Sequence, residues 1–198
     1  MLVKIHLINC EDISLDNLLN SQYISPTEKM SFDNYKNEEV RKEKIVSTYL
    51  KNKYIGEYHL NEFGKPISDN IYFNISHSHY LVGLVIDDVP VGIDIEKIRL
   101  VDKKLSDYVT DKKEKAYIHD DQSFYEIWTN KEALVKCIGT GIKVKMNTVP
   151  GLPLNNTREY QGNVYFNKTI KCGKFIITIS RQKDEDFTPE IVWEDIKK

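Results

Sequence analysis

Hydrophobic and polar positions alternate along Leu2 to Ile8, with Val3, Ile5 and Leu7 on one side, the period-two pattern of a half-buried strand. The period changes after Ser25-Pro26-Thr27-Glu28. A capping serine, a proline at the first helical position and an acid in the first turn mark a helix start there. From Glu38 to Tyr54 the apolar residues Val40, Ile45, Val46, Tyr49, Leu50 and Tyr54 recur at helical spacing and predict a packed helix with a basic outer face. Asn61 to Pro66, punctuated by Gly64, reads as a turn. Three strand-like runs follow, Ile71 to Ile75, Tyr80 to Ile86 and Val89 to Ile95, and with an Asp87-Asp88 turn they predict a meander. Lys103 to His119 is charged and predicted helical. Ser123 to Ile138 is the clearest amphipathic helix, stopped by Gly139 and Gly141. Asn163 to Phe166 and Phe175 to Ser180 are strand-like, with a turn at Cys172-Gly173, and Tyr165-Phe166-Asn167 echoes Tyr72-Phe73-Asn74. This order of elements predicts an α+β class.

Composition narrows the class without naming a chemistry. With 198 residues, 40% hydrophobic and 29% charged, the chain can bury a core and form one domain or two small ones. A net charge of -2 and a pI near 6.2 exclude bulk attraction to nucleic acid or to an anionic membrane, so any polyanion must be bound locally. Cys10, Cys137 and Cys172 are odd in number and far apart, which suits reduced thiols in the cytoplasm. The run from Met1 to Cys10 lacks a basic leader and is followed by Glu11 and Asp12, as a strand would be and a signal peptide would not. No apolar stretch approaches the ~20 residues that span a bilayer. A soluble protein is expected.

Three segments carry chemistry. In Val91-Gly92-Ile93-Asp94-Ile95-Glu96, strand alternation sends the apolar side chains one way and both carboxylates the other, about 6.6 Å apart along the chain, within reach of one hard cation. A solvated acidic face is the competing reading. In Trp128 to Lys136, a helical wheel places Phe124, Ile127, Trp128, Leu134, Val135 and Ile138 on one apolar arc, with Glu132 and Lys136 off it and one turn apart. An ordinary surface pair would look the same. In Phe73-Asn74-Ile75-Ser76-His77-Ser78-His79, hydroxyls and imidazoles between two strands can donate to phosphate oxygens, or serve only as turn polars.

Together and in this order, Gly64-Lys65-Pro66, Phe73 to Ser78, Gly92-Ile93-Asp94-Ile95-Glu96 and Trp128-Thr129-x-Lys131-Glu132-Ala133-x-x-Lys136 resemble the 4′-phosphopantetheinyl transferase superfamily. The length is similar to its surfactin-synthetase-activating (Sfp-type) branch. The resemblance implies two pseudo-symmetric halves, residues 1–96 and 97–198, with the active site between them. It implies a monomer that moves the phosphopantetheine arm of coenzyme A onto a serine of an acyl or peptidyl carrier protein, with Mg2+ as cofactor. Asp94, Glu96 and Glu132 would be the metal ligands. Lys136 would neutralise charge on the departing 3′,5′-ADP, and Glu132 would be the candidate general base. Ser76 and His77 would contact phosphates, and Lys65 would help hold coenzyme A. Where the family has a basic pair in the first helix for the 3′-phosphate, this chain supplies only Lys29, so Arg41 and Lys44 are the expected substitutes. His79 stands where many relatives have glycine, and Glu114 matches the family's helix-leading acid, displaced by about one residue. A non-catalytic carrier-binding module and a metal-dependent nucleotide pyrophosphatase are the rival readings.

Overall fold

The computed structural model describes residues 1–11, 13–139 and 144–196. Asp12 and Gly141, both used in reading the sequence, lie outside them. The elements run β1 (Leu2–Asn9), α1 (Asp16–Leu19), α2 (Pro26–Phe32), α3 (Glu38–Tyr54), β2 (His59–Leu60), β3 (Pro66–Ile67), β4 (Tyr72–Ser78), β5 (Leu81–Asp87) and β6 (Val91–Lys97). They continue α4 (Lys103–Val109), α5 (Lys112–Tyr117), α6 (Asp121–Ile138), β7 (Thr157–Tyr160), β8 (Asn163–Cys172), β9 (Phe175–Arg181) and β10 (Thr188–Trp193). The class is α+β.

Among the described residues the longer strands form two four-stranded sheets, ordered β10-β1-β5-β4 and β6-β9-β8-β7. Alternation decides how they stack. Val3, Ile5 and Leu7 of β1 meet Ile93 and Ile95 of β6 and Ile177 and Ile179 of β9 in a core between the sheets. The other face of the first sheet, with Ile8, Phe73, Val82 and Leu84, packs on Ile45, Val46, Tyr49 and Leu50 of α3. Helix α6 covers the outer face of the second sheet. The layers are therefore helix, sheet, sheet, helix.

The expected meander is corrected here. β4 and β5 do pair antiparallel, but β6 leaves them and pairs with β9 in the second sheet. The reason is face-to-face packing: a Cβ on Gly83 of β5 would lie 2.6 Å from Ile95 Cδ1 and 2.8 Å from Leu7 Cδ2, so β6 lays its side chains over β5 instead of its edge beside it. The free edge of β6 is closed by side chains. Asn74 Oδ1 accepts from Ile93 N at 3.0 Å, Ser76 Oγ from Ile95 N at 3.2 Å, and Ser78 Oγ from Lys97 N at 3.3 Å, covering an edge that backbone pairing leaves open. β10 returns to the first sheet, parallel to β1. The two sheets thus exchange strands across residue 96.

Capping sets the helix boundaries. Ser25 and Glu28 form a capping box at α2, and Asn37 caps α3. The region predicted helical over Lys103 to His119 holds two helices, because Asp111 caps a new start with Glu114 as its reciprocal partner. Gly139, at φ 82°, ends α6 in the left-handed conformation that a side chain disfavours. No described helix is long and apolar enough to cross a membrane.

Candidate functional site

The site is built where β6, β4 and α6 meet. Gly92 lets α6 close on β6, since a Cβ there would run into the Ala133 carbonyl and the Cys137 amide. With the helix that near, Asp94 and the residues of α6 share one buried space. The ammonium of Lys136 lies 2.6 Å from Asp94 Oδ1 and donates to Ser76 Oγ at 3.0 Å, and Ser76 Oγ donates to Asp94 Oδ1 at 3.2 Å. Residues 60 positions apart, Ser76 and Lys136, thus touch.

Glu96 and Glu132 complete the acidic group. Burial, and then the neighbouring Asp94 charge, push the Glu96 carboxyl up to about 7, while Ser78 Oγ donates to its Oε2 at 3.3 Å. Glu132 is held above the usual carboxylate range by burial and by Asp94, with Lys136 opposing. Asp94 is raised by burial against the pull of Lys136. Its second oxygen, Oδ2, is buried without a hydrogen-bond partner. Among the described residues no three His, Cys, Asp or Glu side chains are arranged as a ready-made metal cage. Mg2+, however, seldom uses an all-protein cage and takes one or two carboxylates plus waters and substrate phosphates. An unsatisfied carboxylate oxygen beside two further acids fits such an ion.

Of the remaining expected residues, Lys65 borders the same site and the others face elsewhere. Lys65 Nζ donates to the carbonyls of Lys136 at 2.7 Å and Cys137 at 3.0 Å, so its charge caps the C-terminus of α6, and burial lowers its pKa. Asn61 strengthens the same junction, its side chain accepting from Lys65 N at 2.9 Å and donating to the Gly139 carbonyl at 3.3 Å. A cavity of about 290 Å³ opens beside this clamp, lined by Phe63, Lys65, Asn74, Ile75, Glu132 and Lys136. His77 points from β4 to the α3 side, where its Nδ1 lies 2.9 Å from Glu43 Oε2. Arg41 pairs at 3.3 Å with Asp33, Lys29 donates to Asn20 at 3.3 Å, and Lys44 is exposed. These three are not gathered at the acidic group.

Two features escaped the sequence reading. Glu43 is one, and its signal was available, since it precedes Val46 by three and Leu50 by seven on the buried stripe of α3. The other is that α6 is buried almost all round. Its apolar arc is joined by Lys131 at 0% exposure, whose Nζ meets Glu114 Oε2 at 2.6 Å and the carbonyls of Val109 at 2.6 Å and Met146 at 3.0 Å. Arg158 ties Asn130 to the Pro150 and Pro153 carbonyls. The helix is therefore covered on its second side by the segments after α4 and α6, which its wheel alone does not reveal.

Acids, an ammonium and a hydroxyl beside an open groove suit the handling of phosphate esters. Residues 90–188, half of the chain, match the family model of the 4′-phosphopantetheinyl transferase superfamily, and the chain belongs to that superfamily. It is 34% identical over 149 residues to the 4′-phosphopantetheinyl transferase gsp of Aneurinibacillus migulanus, covering 67% of this chain and 62% of that protein. It is 33% identical to the transferase ffp of Bacillus subtilis, over 52% of this chain and 50% of that protein. With Sfp of Bacillus subtilis (strain 168) it shares 32% identity over 44% of this chain and 43% of that one. The matches span less than two thirds of each relative's length.

Proposed function

We propose that the chain transfers the 4′-phosphopantetheine arm of coenzyme A to a serine of an apo acyl or peptidyl carrier protein and releases 3′,5′-ADP. The observation that carries this reading is the cluster of Ser76, Asp94 and Lys136, with Glu96 and Glu132 coupled to it and a cavity at its side. Asp94, through its unpartnered Oδ2, Glu96 and Glu132 would hold Mg2+. Bound there, the ion supplies positive charge to the diphosphate.

The chain's own groups do the rest. The serine oxygen of the carrier attacks the β-phosphorus, its bond forming as the bond to the α-phosphate oxygen breaks and the leaving 3′,5′-ADP takes the electron pair. Lys136, now resting on Asp94 and Ser76, is placed to donate to phosphate oxygens as charge builds there. Ser76 offers a hydroxyl to the same oxygens. Glu132, buried on α6, takes the serine proton. Positioning and charge neutralisation dominate such a transfer, which suits residues fixed on a strand and a helix packed together. All of these groups come from one chain, which supports a monomer. The free cysteines, two of them buried, support a reducing compartment such as the cytoplasm.

The test is to mix the protein with Mg2+, coenzyme A and a panel of apo carriers, and to weigh the carrier. A gain equal to phosphopantetheine, lost in Asp94→Ala and Glu132→Ala with the fold intact, is expected. Cleavage of coenzyme A with no gain would favour a pyrophosphatase. Carrier binding with neither would favour a non-catalytic module.

A further inference from the structure

An ionised carboxylate taken out of water must find partners, and Glu43, 4% exposed on α3, has two in view. Its Oε1 accepts the Tyr80 N–H at 3.1 Å, and its Oε2 lies 2.9 Å from His77 Nδ1. A carboxylate only accepts, so the hydrogen of this bond sits on Nδ1 and the free end of the ring is Nε2. The His77 side chain is 39% exposed against 5% for Glu43, which leaves the ring anchored at its base and open at its tip.

The same carboxylate braces the turn that follows. His79 and Tyr80 have φ of 47° and 67°, two successive left-handed residues without glycine, a conformation that persists only where surroundings enforce it. Glu43 holds Tyr80 N–H, while Cys10 N donates to the Tyr80 carbonyl at 2.8 Å. Other charged groups of this corner are committed or remote from the ring. Lys42 donates to the Glu11 carbonyl at 3.0 Å, pairs with Glu38 at 3.3 Å and lies over the Tyr80 ring at 5.7 Å. Glu39 acts on Cys10 and Tyr80 at the same corner, and across the ladder from His77 stands the apolar Val82. Lys44, the expected basic substitute, is exposed.

We infer that Glu43 is a positioning residue for anion binding: it fixes the His77 ring so that Nε2 faces outward to meet a phosphate oxygen of the donor. With Nδ1–H given to Glu43, a hydrogen on the outward Nε2 lets the ring bridge the carboxylate to a phosphate oxygen, both ring nitrogens donating. The inference rests on the coenzyme A reading above, and its test separates the two.

Coenzyme A binding is measured by calorimetry without Mg2+, for the native chain, Glu43→Gln, His77→Ala and the double variant. The tautomer of His77 is read from long-range 15N–1H correlations. The native chain should carry its hydrogen on Nδ1, and Glu43→Gln should lose that signature. Affinity should fall about tenfold in Glu43→Gln and in His77→Ala, with the double variant no weaker than His77→Ala, because both remove one unit. A Glu43→Gln protein that binds as tightly as native while His77→Ala is weakened overturns the inference, and so do losses that add. A native chain that binds no coenzyme A sinks the underlying reading, and the inference with it. Glu43→Asp guards against a misfolded glutamine variant. It keeps the charge but withdraws it by one methylene, so the same drop is expected, and unchanged affinity refutes the role.

Discussion

Replacing Lys131 with methionine probes the least visible support of the candidate site. The side chain is fully buried, and its ammonium has three partners, Glu114 Oε2 at 2.6 Å and the carbonyls of Val109 at 2.6 Å and Met146 at 3.0 Å. Methionine fills a similar volume, so the cavity term is small and electrostatics decides the outcome. The substitution leaves the Glu114 carboxylate, 2% exposed, with the backbone N–H groups of Asp111 at 2.8 Å and Gly151 at 2.7 Å as its hydrogen-bond donors among the described residues, and without the ammonium that paired with it. Breaking a buried pair from one side costs roughly 3–5 kcal/mol. At ~2–4 °C per kcal/mol for a chain of this size, the unfolding midpoint should fall by about 6–20 °C. Thermal unfolding followed by circular dichroism measures it. The double variant Lys131→Met/Glu114→Gln removes both charges and should recover part of the loss, since well-packed neutral groups often replace a buried pair at little cost. A midpoint for Lys131→Met within ~2 °C of native, or a double variant whose loss is the sum of the singles, would refute the argument.

Three other outcomes follow from the same contacts. Gly92→Ala drives a methyl into the backbone of α6, and soluble yield and unfolding midpoint should both drop, by an amount equivalent to ~3 kcal/mol or more; a native-like melting curve contradicts the close approach. Lys65→Met removes the cap on the Lys136 and Cys137 carbonyls, so transfer kinetics should show kcat falling by about tenfold with KM for coenzyme A nearly unchanged, whereas a pure KM effect would mean that Lys65 binds the donor. Glu194 is pushed up by burial but pulled further down by hydrogen bonds from Lys53 at 2.7 Å, Tyr54 at 2.6 Å and His6 at 2.8 Å, and its folded pKa ends below the ordinary value. Its contribution is therefore complete above the unfolded value of about 4.3 and is lost as pH falls through the folded one. Urea melts of native and Glu194→Gln protein should differ at pH 7 and converge toward pH 3; a gap that widens on acidification has the wrong sign.

Local chemistry was readable along the chain wherever neighbours in sequence decide structure. The alternation of β1, the caps at Ser25 and Gly139, the period of α3 and the opposite facing of Asp94 and Ile95 all follow from φ/ψ preferences and strand or helix period, which act over a few residues. Only the tertiary structure decided that β6 abandons β5 for β9, that β10 returns beside β1, and that α6 is enclosed by the end of α4 and by residues after its own end. It also decided which cation is used where: Lys65 on helix carbonyls, Lys131 on Glu114 and Lys136 on Asp94. The physical reason is reach. A lysine carries the same charge at every position, and its partner is set by packing that brings together residues 17, 42 or 71 positions apart, a quantity that no local pattern contains.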